Sequence, residues 1–437
     1  MLTRKFHADR QQTTKTLEEI QNASELVEFL ELLEAPSQIA SALRDPLLQK
    51  FLYLSGSGDA RQRLDFWLQR YLAEELDNIR EGFGLSATLS ELLTGLVGYT
   101  EASKTLPPVV EQFLRTYLPL WNGSLDLGAI LDLVAFVSPQ PFEALHQGML
   151  QTLERSILGG AEAPFDALFG FYASLLQRWM NTSSTGDRRM IESISEMTRH
   201  VAILAELALA AGQPTHAAIL GFYERMTDLV TEQISLGRQS MPPILPPRSL
   251  TYSLATTSSL ADFSRLCALL VTYKRCFEKQ DPRMSRGQGD ATVLLNGYLM
   301  DICNLIWRSR ALNTTDPNAH GLMCVDQVTS GLQTYLSKVE RDYSVHTLFD
   351  FSHGVLSAAM AQDAYMTLEG EAQKATADDL PLHAGPVTQR SLTVLEKEGG
   401  LKLSWKQYRV GLLDYFESQG FDGMKKLMFA TMKDLMR

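Results

Sequence analysis

The chain has 437 residues, a formal net charge of -11, 45% hydrophobic and 21% charged residues, a length that suits two or three domains or a repeat array that grows without one central core. Its acidic balance argues against a nonspecific grip on DNA phosphate, which needs clustered cations to release counterions, and no apolar run reaches the roughly 20 residues that cross a bilayer, so a soluble protein is expected. The four cysteines form no CxxC pair and the first residues, MLTRKFHADRQQTT, lack the apolar core of a signal peptide, so reduced core thiols in an intracellular protein are expected.

Lys15 to Glu34 reads as an amphipathic helix that Pro36 ends, and PSQIASALRDPLLQKFLYL as two helical pieces parted at Asp45-Pro46, where the residue before proline is pushed out of the helical region. Asp59 is the expected N-cap of a helix carrying Leu64, Trp67, Leu68, Tyr71, Leu72, Leu76 and Ile79 on one stripe. Helices bounded by Gly, Pro or Asn follow through SATLSELLTGLVGYT, PPVVEQFLRTYLPLW, SLDLGAILDLVAFV, PQPFEALHQGMLQTLERSIL and APFDALFGFYASLLQRWM to PTHAAILGFYERMTDLVTEQISL. LDLGAILDLVAFV is apolar round more than half its circumference, so it needs neighbours on two sides.

A proline-rich hinge, PPILPPRSLTYSL, precedes the two central helices, SSLADFSRLCALLVTYKRCFE and ATVLLNGYLMDICNLIWRSRAL. The first sets Leu266, Leu270 and Phe277 opposite Arg265, Arg275 and Lys279; the second sets a broad apolar arc against a polar stripe of Asp301, Asn304 and Arg308. Lys274, Arg275, Lys279, Arg283 and Arg286 form the most concentrated positive patch. Interleaved Glu278 and Asp281 fit a solvated helix end, or alternatively a dock for an acidic partner segment or DNA phosphate. Another helix pair follows, then an exposed linker, EGEAQKATADDLPLHAGP. A helix entered through Pro386 and one started by a Ser404/Gln407 capping box lead to the last helix, DGMKKLMFATMKDLMR.

The fold class is therefore all-α. Paired helices recurring at about 40 to 45 residues have the spacing of an alpha-solenoid of HEAT-like antiparallel helix pairs, with a non-repetitive bundle as the alternative. The expected organisation is an N-terminal helical segment over 1–35, repeats over 36–240 and 241–368, a linker over 369–385, and C-terminal repeats over 386–437. Scattered histidines, with His346 and His353 as a lone pair on one face, give no zinc spacing. No phosphate loop appears, and the GSG at Ser57 reads as a turn. No cofactor, metal, catalytic residue or small-molecule substrate is expected.

PPRSLTYSL, SRLCALLVTYKRCFE, NGYLMDICNLIWRSRAL and HAGPVTQRSLTVLEKEGGLKLSWKQYRVGLLDYFESQG together resemble the C-terminal half of fungal members of the centromere protein I (CENP-I) family. APSQIASALRDPLLQKFLYL followed by RLDFWLQRYL resembles the middle of that family, while Leu85 to Leu236 resembles it in composition more than in words. The resemblance implies a nuclear inner-kinetochore scaffold, not an enzyme. Such a scaffold joins CENP-H and CENP-K in the constitutive centromere-associated network, helps recruit CENP-T with CENP-W, and reaches CENP-A chromatin mainly through other subunits. It also implies that the usual further N-terminal repeats are missing here, through a truncated gene model or a short form. Partner contacts are expected at Arg265, Lys274, Arg275, Lys279, Arg283, Arg286, Asp301, Asn304 and Arg308. Spacing alone leaves open a HEAT-type adaptor in transport or trafficking, and an all-helical enzyme stays open if titratable groups converge in a pocket.

Overall fold

A computed structural model describes residues 43, 45–47, 49–50, 58–82, 86–160, 163–182, 188–237, 241, 243–279, 289–339, 344–352, 354–376, 380–383 and 387–432. The expected helix over Lys15 to Glu34, the GSG at Ser57, and Arg283, Arg286 and His353 lie outside the described residues. Among those described, every regular element is helical, and no helix is long and apolar enough to cross a membrane. The chain divides into two compact units, Met1–Ser183 and Ser184–Arg437.

Unit 1 is built from α1 (Gly58–Arg80), α2 (Ala87–Ser103), α3 (Pro108–Tyr117), α4 (Leu127–Val134), α5 (Phe142–Leu145), α6 (Gln151–Leu158) and α7 (Phe165–Thr182). Helix α1 buries Leu64, Trp67, Leu68 and Leu72, most of the stripe its sequence announces, and begins at Gly58, so Asp59 falls inside the first turn. Ser86 is the N-cap of α2: its hydroxyl accepts from the Leu89 N–H at 3.0 Å and donates to the Glu75 carboxylate of α1. Pro108 enters α3, where its missing N–H costs nothing. The greasy α4 buries Ile130, Leu131, Leu133 and Val134 against α2, α3 and α7, the neighbours that its apolar circumference requires. A π turn at His146–Leu150 joins α5 to α6. Gly123 is obligatory at its turn, because φ is +81° and an added Cβ would stand 2.0 Å from the Ser156 carbonyl oxygen. The Trp179 indole N–H donates to the Val137 carbonyl at 2.9 Å, fastening α7 to the end of α4.

Unit 2 contains α8 (Arg188–Ala210), α9 (His216–Ser235), α10 (Arg248–Ala255), α11 (Leu260–Lys279), α12 (Gly289–Ile306), α13 (Asp326–Val339), α14 (Val345–Phe349), α15 (Ala358–Thr376), α16 (Gln389–Lys397), α17 (Trp405–Ser418) and α18 (Asp422–Thr431). In both units helices pack on the helix two places along: α1 on α3, α2 on α4, α8 on α10, α9 on α11, α15 on α17. One arrangement departs from a simple running stack. The last helix, α18, folds back on α11, with Gly423 so close to the Ser264 backbone that an added Cβ would sit 1.8 Å from its carbonyl oxygen. The Gly423 N–H is accepted by the Ser264 hydroxyl at 3.0 Å.

Two expected boundaries move. EGEAQKAT belongs to α15 rather than to an exposed linker, and Glu369, only 5% exposed, accepts from the His383 N–H at 2.9 Å. Helix α16 starts from a capping box of Thr388 and Ser391 instead of from Pro386, while the Ser404/Gln407 box of α17 is as the sequence suggests. Cys267, Cys276 and Cys303 are buried, as expected of core thiols, while Cys324 is only half-buried.

Candidate functional site

The expected contact residues lie on or after α11 and α12, and the structure assigns them three different situations. Arg265 is taken up within unit 2, where its guanidinium grips the Glu224 carboxylate of α9 through Nε at 3.0 Å and Nη2 at 2.7 Å. Lys274 donates to the Ala430 carbonyl in the last turn of α18, where a cation complements the helix dipole, and lies 3.8 Å from Glu278. Arg275 and Lys279 are exposed along the last turns of α11, and Arg308 is exposed just beyond α12 with Nη1 3.2 Å from the Met300 sulfur.

Asp301 and Asn304 do not form a solvent stripe with Arg308. Both are buried, at 3% and 1% exposure, and a loop after α12 covers them. Asp301 accepts the Tyr252 hydroxyl at 2.5 Å, the His320 N–H at 3.0 Å and the Gly321 N–H at 3.1 Å. Asn304 donates to Asp316 at 3.1 Å, and Asp316 is paired with Arg310 at 3.0 Å. Burial pushes the Asp301 carboxyl above its ordinary value, against the opposing pull of these donors. These residues tie α10, α12 and the 308–323 loop together, leaving little of either side chain for an outside partner.

The hinge is held by its carbonyls. Prolines supply no N–H, so PPILPP can join a hydrogen-bond network mainly as acceptor. The Tyr273 hydroxyl donates to the Ile244 carbonyl at 2.7 Å and the Tyr298 hydroxyl to the Pro246 carbonyl at 2.8 Å. Burial pushes the Tyr298 phenol up to about 12 and Tyr273 well above its usual range, so both stay protonated donors. The apolar arc of the second central helix includes Tyr298; nothing in the periodicity showed what either hydroxyl would hold.

A half-open cavity of about 280 Å³ lies where the end of α10 meets α11, α12 and the α14–α15 loop. Phe263, Leu305, Ile306, Phe351 and Met424 line it, its polar side chains are Ser and Thr hydroxyls, and its lining includes no acid, base or thiol. It can bury an apolar group; it offers no acid–base pair for chemistry.

The family model described as CENP-I: Mis6 matches residues 3–194. The chain is 22% identical over 353 residues to centromere protein I of Gallus gallus, covering 73% of this chain and 45% of the chicken protein. Against centromere protein I of Mus musculus it is 23% identical over 345 residues, covering 69% of this chain and 44% of the mouse protein. Over these residues the chain is similar to the CENP-I family. The family-model match ends N-terminal to the hinge, whereas the resemblance expected from the sequence is strongest from Pro242 onward, outside the residues that the model matches. The matched stretch spans less than half the length of either CENP-I relative.

Proposed function

We propose that this chain is a CENP-I family member, a nuclear centromere and kinetochore protein that acts as a non-enzymatic helical scaffold, assembling partner subunits on CENP-A chromatin for chromosome segregation. Similarity to the CENP-I family model and to centromere protein I is the observation that carries the reading. The physical design agrees with it: helices packed on the helix two places along give the adjacency of stacked pairs, the basis for reading the chain as an alpha-solenoid, and such stacks present long surfaces to other polypeptides. The apolar cavity, lined without acid or base, lends no support to an enzyme.

The partners proposed are CENP-H and CENP-K homologues, with CENP-T/CENP-W recruited in turn and chromatin reached mainly through these subunits. Among the described contact residues expected from sequence, Arg275, Lys279 and Arg308 keep the exposure that a contact needs. Tagged chain isolated from its own mitotic cells should recover the CENP-H and CENP-K homologues and mark centromeres by fluorescence. Recovery of coat or cargo proteins in their place, with no centromeric signal, would transfer the chain to the trafficking-adaptor class.

A further inference from the structure

Ser138 is followed by Pro139, and no other serine or threonine of the chain stands directly before a proline. The pair lies between α4 and α5 in a stretch, 138–141, that belongs to no helix, because a residue before proline is pushed from helical into extended backbone. Pro141, with φ -53° and ψ 123°, keeps the segment extended up to the start of α5. Ser138 is exposed, and among the described residues its hydroxyl has no hydrogen-bond partner. Its surroundings are fixed: Val137 is buried with its carbonyl accepting the Trp179 indole N–H at 2.9 Å, and Phe142 is buried at the start of α5. An accessible hydroxyl on extended backbone with proline next in line is the form that proline-directed protein kinases take as substrate.

A receiver for the phosphate stands on α7. Arg178 precedes Trp179, and while the indole reaches Val137 the guanidinium lies over the Phe136 ring, 3.3 Å from its centroid. Residues 178 and 179 therefore bear on 136 and 137, the two residues that lead into Ser138. Arg178 is half-buried, and among the described residues no acceptor lies within hydrogen-bond distance of its guanidinium, a group with five N–H donors. Stacking on the ring occupies one face of the fork and leaves its edges open. Burial pulls Arg178 below its ordinary value, while Asp132 of α4 and Glu101 of α2 pull the other way. These two carboxylates are the anions that compete for the same cation; both are exposed, so solvent weakens their hold. A phosphoserine brings about -1.5 to -2 charge and three acceptor oxygens, which take an arginine edge through two parallel hydrogen bonds.

We propose that Ser138 is a phosphorylation site for a proline-directed serine/threonine kinase and that Arg178 binds the phosphate once attached, clamping the end of α4 to α7. In the transfer the Ser138 oxygen bonds to the γ-phosphorus of ATP held by the kinase, the bond from that phosphorus to the β–γ bridging oxygen breaks to release ADP, and the hydroxyl proton passes to the kinase's carboxylate base. The site lies within unit 1 and does not depend on where in the cell the chain works. In one arm of the test, the folded full chain and a peptide of residues 134–143 are incubated at equal concentration with a mitogen-activated protein kinase and magnesium ATP, and phosphate is located by mass spectrometry. Ser138 of the folded chain should carry it, and Ser138→Ala should cut incorporation at least tenfold. In the other arm phosphoserine is installed at position 138 during translation and its phosphorus NMR signal is followed against pH. Its second pKa, ordinarily about 6, should fall by about half a unit or more, since a neighbouring cation favours the dianion. It should return to the ordinary value in Arg178→Gln and fall further in Asp132→Asn, which removes a competing anion. If circular dichroism shows Arg178→Gln unfolded, the Asp132→Asn shift decides. A folded chain left unlabelled at Ser138, whether or not the peptide is labelled, would overturn the kinase site. A second pKa that is unchanged or raised, that falls equally without the arginine, or that ignores Asp132→Asn would overturn Arg178 as the receiver.

Discussion

Replacing Asp301 with alanine tests whether a buried carboxylate holds the centre of unit 2 together. The change removes the acceptor for the Tyr252 hydroxyl and for the backbone N–H groups of His320 and Gly321. Each buried donor left unpaired costs about 1–3 kcal/mol; partial hydration of the small cavity brings the total to about 3–5 kcal/mol. Because the chain has two compact units, a single unfolding midpoint would mix their transitions, so hydrogen exchange resolved by peptide is the fitting measurement. Protection in segments covering 248–255 and 295–306 should fall by about two to three and a half decades, since about 1.4 kcal/mol is tenfold, with segments of unit 1 unchanged. Tyr252→Phe, which removes one donor together with its need for an acceptor, should lose only about one decade, for roughly 1–1.5 kcal/mol. Exchange in Asp301→Ala equal to wild type would refute the claim that the carboxylate organises this centre.

Asp301→Asn keeps an acceptor oxygen while removing the charge that burial disfavours. A carboxyl whose folded pKa is raised is penalised when ionised: the penalty is absent below the unfolded value of 3.8 and complete above the folded value, so stability is lost as pH rises between them. The asparagine variant should match or exceed wild type near neutrality and lose that margin as pH falls through this window, which urea titration across pH will show; a constant gap at every pH would contradict the raised value. Gly423→Ala should detach α18 from α11, because its Cβ would meet the Ser264 carbonyl oxygen at 1.8 Å; a loss of more than about 3 kcal/mol is expected, read as early proteolytic release of the last helix. Among the cysteines, Cys324 should react first with maleimide in the native chain. Cys267, Cys276 and Cys303 are buried, with burial pushing their thiols up, and should label only on unfolding, as intact mass spectrometry can follow.

Local chemistry already in the sequence determined much of this protein. Apolar residues at steps of three and four made every described element a helix and placed Leu266, Leu270, Leu295 and Ile302 in a core; Ser404 with Gln407 set a helix start that the structure repeats, and the circumference of α4 required neighbours on two sides. Tertiary structure alone decided what the polar faces meet. Helical periodicity puts Asp301, Asn304 and Arg308 on one stripe, and gives such a stripe the same signature whether water or a returning loop covers it; here α12 ends at Ile306, the loop that follows buries Asp301 and Asn304, and Arg308 stands exposed beyond the helix. The return of α18 to α11 was equally illegible, because a contact between residues 159 apart leaves no mark on the pattern of either helix. Local spacing records which side of a helix avoids water, while the partner that covers it is chosen by the path of the whole chain.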